Sequence, residues 1–244
     1  MPTLSSTRPS HCWTKAAVAR IANRTAGQSQ QWHSRRLIAA KPGFTIVGMA
    51  VRPAHRKLVK HYEDPGHVRE LTFSCYRRMP LLTNDTWREM LSRSIDRAGQ
   101  GHQWPLTAFV FMPEHVHLLW YPLANASGME HLLKAIKRPY SYRIKQLLIQ
   151  HRSPLVNRLT IRQRPGVKTF RYWQEGPGYD RNLDNEESVL AAIQYIHENP
   201  IRRGLCRNVL DWKWSSARWY ADLTVDPMLP TLTALPPHFF SSIS

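Results

Sequence analysis

Apolar and polar positions alternate clearly from about residue 66 onward. In "HVRELTFSCYRR", Leu71, Phe73 and Cys75 alternate with Thr72, Ser74 and Tyr76, the period of a half-buried strand. Asn84 then suits a helix cap, and Trp87, Met90, Leu91 and Ile95 recur at helical spacing up to Gly99, where the helix is expected to stop. "WPLTAFVFM" predicts a second strand and "HVHLLWY" a third, with Pro113-Glu114 as the tight reversal between them. Ser127 and Glu130 in "SGME" have capping-box spacing. They open a helix with Met129, Leu132, Leu133, Ile136, Tyr140, Ile144, Leu147 and Leu148 along one side and an expected kink at Pro139. "KTFRYWQEGPGYDRNL" predicts a fourth strand interrupted by Gly-Pro-Gly, and Asp184 with Glu187 gives a box-like start to "NEESVLAAIQYIHEN", a helix ended by Pro200. The order β-α-β-β-α-β-α predicts an α+β domain of the ferredoxin-like, split βαβ kind, an antiparallel sheet with helices on one face.

Outside this patterned region the chain changes character. Residues 1–62 carry Ser, Gln, Arg and Pro without sustained periodicity and are expected to be a basic, largely disordered extension. An organelle transit peptide shares that composition, and Met49 is an alternative start. The expected division is therefore an extension over 1–62, a folded domain over 63–222 and a short C-terminal tail over 223–244. No apolar run approaches the ~18 residues of a membrane helix, so no membrane partner is expected. Cys12, Cys75 and Cys206 are odd in number, widely spaced and without a CxxC, which argues against a disulfide framework and a cysteine zinc site. A reducing, cytoplasmic location is expected.

Charge sharpens the picture. The chain holds 34 Lys+Arg against 17 Asp+Glu, a formal net charge of +17. Neither Met1–Tyr62 nor His131–Gln174 contains an acidic residue, although each carries eleven Lys/Arg. A solvated surface normally mixes signs, so two acid-free blocks point to polyanion-facing surfaces and a nucleic-acid partner.

Two histidines in "FVFMPEHVHLLW" carry the candidate chemistry. Residues i and i+2 of a strand point the same way, so His115 and His117 share a sheet face with Leu119 and Tyr121, while Val116, Leu118 and Trp120 face the other. The apolar trio can take the helices, which leaves two imidazoles side by side at metal-chelating distance. On the last helix Val189, Leu190, Ile193 and Ile196 form a core stripe, and Tyr195 and Asn199, four apart, share a neighbouring one. Taken singly, these residues equally suit a satisfied core histidine pair, a boundary tyrosine and a helix-capping asparagine.

In combination they resemble a known family. "FVFMPEHVHLLW", "FRYWQEGPGYDRNL", "YIHENPIRRGL" and "DWKWSSARWY" are similar, in that order over about residues 66–221, to four blocks of the REP-associated tyrosine transposases. These are a branch of the single-tyrosine HUH transposases, which process single-stranded DNA. The resemblance implies an HUH-type ferredoxin-like fold, with His115 and His117 as metal ligands, Tyr195 as nucleophile and Asn199 as third ligand. Better-known single-tyrosine members place Gln four residues after the tyrosine; Asn199 is shorter by a methylene, which leaves its ligation open. Glu114 matches a "PEH" variant of the first block without an evident role. The implied reaction is metal-dependent cleavage and rejoining of single-stranded or hairpin DNA through a 5′-phosphotyrosine, with Mg2+ or Mn2+ as the cofactor, in transposition of REP-like palindromes.

Lys134, Lys137, Arg138, Arg143 and Lys145 are expected to track the DNA backbone, and Tyr140, Tyr142, Tyr172 and Trp173 offer rings for unstacked bases. Trp212, Trp214, Ser215 and Ser216 of the Trp/Ser block are further DNA-binding candidates, although at least one of the two tryptophans is expected in the core. A monomer is expected, with a dimer as the alternative, because some relatives exchange the tyrosine helix between subunits. The main rival function is a non-catalytic DNA- or RNA-binding module of ferredoxin-like fold, which lacks the aromatic RNP signature here. A zinc hydrolase leaves the charge unexplained, and a replication initiator or relaxase shares the HUH chemistry without the Trp/Ser block.

Overall fold

The computed structural model of the chain describes residues 67–176, 178–224 and 226–236. The expected N-terminal extension, with its transit-peptide and alternative-start readings, lies outside the described residues, as does the tail from residue 237. The elements are β1 (Val68–Ser74), α1 (Asp85–His102), β2 (Leu106–Phe111), β3 (His115–Trp120), α2 (Met129–Gln150), α3 (Leu155–Leu159), β4 (Thr160–Arg164), β5 (Val167–Phe170), β6 (Tyr179–Leu183), α4 (Glu186–Arg202) and α5 (Ala217–Tyr220). A four-stranded sheet has the order β2-β3-β1-β6 with every neighbouring pair antiparallel, which is the ferredoxin-like arrangement expected. Strands β4 and β5 form a separate hairpin.

The sheet has a core on each face, which corrects the expectation that helices occupy one face only. Leu71, Phe73, Phe109, Phe111, Val116, Leu118 and Trp120 pack against Leu91 and Ile95 of α1 and Leu132, Ile136, Tyr140 and Ile144 of α2. On the opposite face Val68, Ala108, Val110, Met112, Leu119 and Leu183 pack against Val189, Ala192, Ile193 and Ile196 of α4. Helix α4 thus covers the face that carries His115 and His117. A register shift between Leu106 and Ala108 changes the alternation of β2, so Leu106 and Phe109 share one core.

Local signals decide where elements begin and end. The Asn84 side chain caps α1 by accepting from the Trp87 N–H, as expected. Helix α1 runs past Gly99 to His102 and ends at Gln103, a left-handed residue with φ 59°. Gly99 serves a close approach instead: a Cβ there would lie 2.7 Å from the Trp104 carbonyl oxygen. No Ser127 capping box forms on α2, whose N-cap is Gly128. Ser127 is used elsewhere, its hydroxyl paired with His102 Nδ1 at 2.8 Å and its carbonyl accepting from Trp104 Nε1. Asn185, not Asp184, caps α4 by accepting from the Ser188 N–H, and Pro200 lies inside the last turn.

The fourth strand of the sheet is β6 alone, after the Gly-Pro-Gly. Before it, Lys168–Phe170 belongs to the β4-β5 hairpin, and only an isolated bridge ties Trp173 to Cys75. Gly178, at φ +89°, passes so close to the Thr72 carbonyl that no side chain fits between them. The segment assigned to a tail from residue 223 is partly built into the body: Leu229 and Leu235 are buried, and the Thr231 and Thr233 N–H groups donate to Asp96 Oδ1 and the Leu106 carbonyl. Among the described residues, no helix is long and apolar enough to cross a membrane.

Candidate active site

Strand pairing brings the polar groups together. In the β1–β3 register Thr72 lies opposite His117 and Ser74 opposite His115, so alternate residues of β1, including Glu70, share the histidine face. His115 and His117 are both buried, and their Nε2 atoms stand 3.1 Å apart. Helix α4 supplies the rest. Asn199 Nδ2 lies 3.1 Å from His117 Nε2, and the Tyr195 ring meets the His117 ring edge-on with centroids 5.5 Å apart. Tyr195 is 39% exposed whereas Asn199 is 6% exposed, so the phenol stands at the rim of a buried cluster. The sequence grouping of His115, His117, Tyr195 and Asn199 is therefore a spatial one.

Electrostatics keep the His115 imidazole neutral. Burial, the neighbouring His117 and Arg78 push His115 down to about 4, against the opposing pull of Glu114. Its nitrogen lone pair is thus free at neutral pH. Burial would raise the Glu70 carboxyl, but the nearby His117 and the Arg181 guanidinium together hold it below the usual carboxylate range. Glu70 Oε2 is 2.9 Å from Arg181 Nη2, and Glu70 Oε1 is 3.7 Å from His117 Nδ1. Thr72 Oγ1 is closer to the same nitrogen, at 2.8 Å. On the opposite face of the sheet Arg69 and Asp180 form a buried ion pair.

The donor set fits a divalent cation held in an open site. Two imidazole nitrogens and an amide converge from two elements, the residue types such ions accept. Among the described residues no group of three or more His, Cys, Asp and Glu that could hold a metal ion comes together. An ion held by His115, His117 and Asn199 would have positions left for phosphate oxygens or water. Ligation by Asn199 requires its amide oxygen to face the histidines, in place of the nitrogen that does so here.

The candidate DNA contacts divide. Arg138 and Arg143 are exposed on α2, as is Lys134, which reaches Glu130 Oε2 at 3.3 Å, while Lys145 is half-buried. Lys137 is committed inward, its ammonium 4.7 Å from the Phe73 ring centroid and donating to the Gly176 carbonyl at 3.2 Å; burial lowers it to about 8. Trp173 is buried among Phe73, Tyr140 and Tyr172 and is not a free stacking surface; Tyr142, 65% exposed, is one.

The Trp/Ser block turns mostly inward, with Trp214 buried and Trp212 half-buried. Trp212 Nε1 donates to the Phe111 carbonyl and Trp214 Nε1 to Asp85 Oδ1. Ser215 and Ser216 are buried, with Ser215 Oγ donating to the Trp212 carbonyl. Ser216 Oγ meets His197 Nε2 at 2.8 Å and accepts from the Phe109 N–H at 3.0 Å. In a helix of 3.6 residues per turn His197 lies about 200° around from Tyr195, so it anchors the back of α4 while Tyr195 and Asn199 address the histidines. Sequence reasoning missed Glu70, Thr72, His197 and Arg203. For Glu70 and Thr72 the signal was present, as polar residues two apart in a strand with apolar neighbours.

The chain is similar to several known proteins. Residues 66–170 match the family described as Transposase IS200 like. The chain is 24% identical over 140 residues to a REP-associated tyrosine transposase of Escherichia coli (strain K12), covering 57% of this chain and 69% of that protein. A solved REP-associated tyrosine transposase bound to a REP hairpin aligns with a TM-score of 0.52 and 20% identity, over 72% of this chain and 95% of the other. That likeness establishes a shared fold.

Proposed function

We propose, from the premise that this chain is a relative of the REP-associated tyrosine transposases, that it is a DNA strand transferase acting on single-stranded DNA beside a hairpin, with Tyr195 as its nucleophile. The observation that supports this most is the partly exposed Tyr195 ring set edge-on to His117, with Asn199 of the same helix at the His117 nitrogen. In the proposed step Tyr195 Oη attacks a backbone phosphorus, forming an O–P bond as the P–O3′ bond breaks. The phenolic proton passes to solvent and the departing 3′ oxygen leaves as a free hydroxyl. The resulting 5′-phosphotyrosine keeps the phosphodiester energy, so a second 3′-OH can reverse the reaction and rejoin strands.

A divalent cation, Mg2+ or Mn2+, held by His115, His117 and Asn199 would draw negative charge from the scissile phosphate as the bond breaks. His115 and His117 offer imidazole nitrogens, and Asn199 brings a third donor on the helix that carries the nucleophile. Exposed Arg138, Arg143 and Lys134 give the DNA backbone a basic helix face to follow. Arg162, Arg164 and Lys168 on the β4-β5 hairpin, all three exposed, add a second basic surface.

The test is incubation of full-length protein with end-labelled hairpin oligonucleotides from the flanks of its own gene, with Mg2+ or Mn2+, read on a denaturing protein gel. A labelled band that needs metal and disappears in Tyr195→Phe, while DNA binding persists, is expected. Cleavage undiminished in Tyr195→Phe removes Tyr195 as nucleophile; tight binding with no adduct on any flank makes the chain a DNA-binding module.

A further inference from the structure

Glu114 sits in the turn that joins β2 to β3, immediately before His115, and is buried at 8% exposure. A carboxylate in that position needs a partner, since an unpaired buried charge is costly. It has two. Glu114 Oε1 lies 2.9 Å from Arg203 Nη1 and 3.2 Å from His115 Nδ1. We infer that Glu114, clamped by Arg203, is a positioning residue: it accepts the Nδ1 proton of His115 and leaves the Nε2 lone pair facing His117 and Asn199. This rests on the reading of the site as a divalent-cation site.

The ring geometry carries the inference. A neutral imidazole has one proton and two nitrogens on different edges, and only the unprotonated nitrogen binds a cation. His115 Nε2 is the atom 3.1 Å from His117 Nε2, so a proton on Nε2 would block the site. Both atoms of the His115 Nδ1–Glu114 Oε1 pair are buried and neither is engaged in a hydrogen bond of regular geometry among the described residues, so at 3.2 Å each is the group placed to supply what the other lacks. Because its oxygen lies against the Nδ1 edge, Glu114 acts on the ligand and is not itself one of the converging donors.

The arrangement occurs twice. His117 Nδ1 has Thr72 Oγ1 at 2.8 Å and the Glu70 carboxylate at 3.7 Å, and Glu70 is in turn paired with Arg181. Each histidine therefore has an oxygen near Nδ1 and a carboxylate backed by an arginine, supplied by different parts of the chain. Outer partners of this kind fix the tautomer and orientation of metal-binding histidines. Arg203 adds a coupling, because its backbone N–H donates to the Asn199 carbonyl at 3.1 Å. The turn that presents Asn199 to His117 also delivers the clamp on Glu114, so seating α4 and setting the His115 tautomer are one event.

The test compares full-length wild type with Glu114→Ala and Glu114→Gln. Imidazole tautomers of the metal-free proteins are read by long-range 1H–15N correlation, and Mn2+ binding without DNA by calorimetry. In the wild type His115 should carry its proton on Nδ1. Glu114→Ala should lose that preference and bind Mn2+ about 10-fold or more weakly, and Glu114→Gln, whose amide oxygen still accepts, should be milder. A wild-type His115 protonated on Nε2, or unchanged Mn2+ affinity in a folded Glu114→Ala, overturns the inference. Should Glu114→Ala not fold, the wild-type tautomer and Glu114→Gln decide in its place. Absence of Mn2+ binding by the wild type would count against the cation site itself, while the tautomer spectrum still decides whether Glu114 positions His115.

Discussion

Ser216→Ala separates a framework role for the Trp/Ser block from a DNA-contacting one. Ser216 is 1% exposed, and its hydroxyl serves both His197 Nε2, at 2.8 Å, and the Phe109 N–H, at 3.0 Å. Removing it leaves one or two buried polar groups unpaired, each costing about 1–3 kcal/mol, so a loss of about 2–4 kcal/mol is expected. For a folded body of this size about 2–4 °C accompanies each kcal/mol, which places the melting temperature roughly 4–16 °C lower. Circular dichroism melts give that shift, and fluorescence anisotropy with a labelled DNA hairpin, well below the melting range, gives the affinity. A side chain turned wholly inward should leave affinity within about twofold of the wild type in the temperature range where both are folded. An unmoved melting temperature with DNA affinity reduced tenfold would refute the reasoning and return Ser216 to the DNA interface.

Gly178→Ala should cost at least about 3 kcal/mol, measured by urea denaturation, because a Cβ at φ +89° meets the Thr72 carbonyl; a smaller loss would mean that β6 shifts without penalty. Acid should destabilise the fold through His197, which burial pushes down to about 3. Below its unfolded pKa of about 6.5 the unfolded chain binds the proton that the native state refuses, so stability falls by up to about 1.4 kcal/mol per pH unit as pH drops from 6.5 toward 3. Urea titrations between pH 7 and 5 that show no decline would contradict this. The combined replacement of Lys134, Arg138 and Arg143 by Ala should flatten the salt dependence of DNA binding by about 0.9 in log–log slope for each phosphate no longer neutralised, without changing the melting temperature. An unchanged slope would move the DNA path elsewhere.

Much of the site could be read from short-range pattern. Alternation placed His115 and His117 on one face, and the spacing of four put Tyr195 beside Asn199. What covered that face was not readable, since Ala192 and Ile196 look the same in sequence whichever face of the sheet receives them. The fourth strand was blurred because β6 is polar: Asp180 and Arg181 find their partners in Arg69 and Glu70, across the sheet, and not in an apolar stripe. The direction of the Trp/Ser block depended on acceptors at Phe111 and Asp85, about a hundred residues earlier in the chain. Lys137 looked like its exposed neighbours until the fold brought Phe73 and Gly176 to it.

Helix α4 carries Tyr195, His197 and Asn199, with Arg203 at its C-terminal end, so the proposed nucleophile, third donor and clamp are inherited as one block with the His197 brace. In this chain the block rests on its own sheet, where Tyr195 meets its own His117. Genetic complementation follows from that connectivity. A copy lacking Tyr195 and a copy lacking His117 should stay inactive when mixed, because neither can lend the other half of a site. Recovery of activity in the mixture would require whole helices to change hosts between copies.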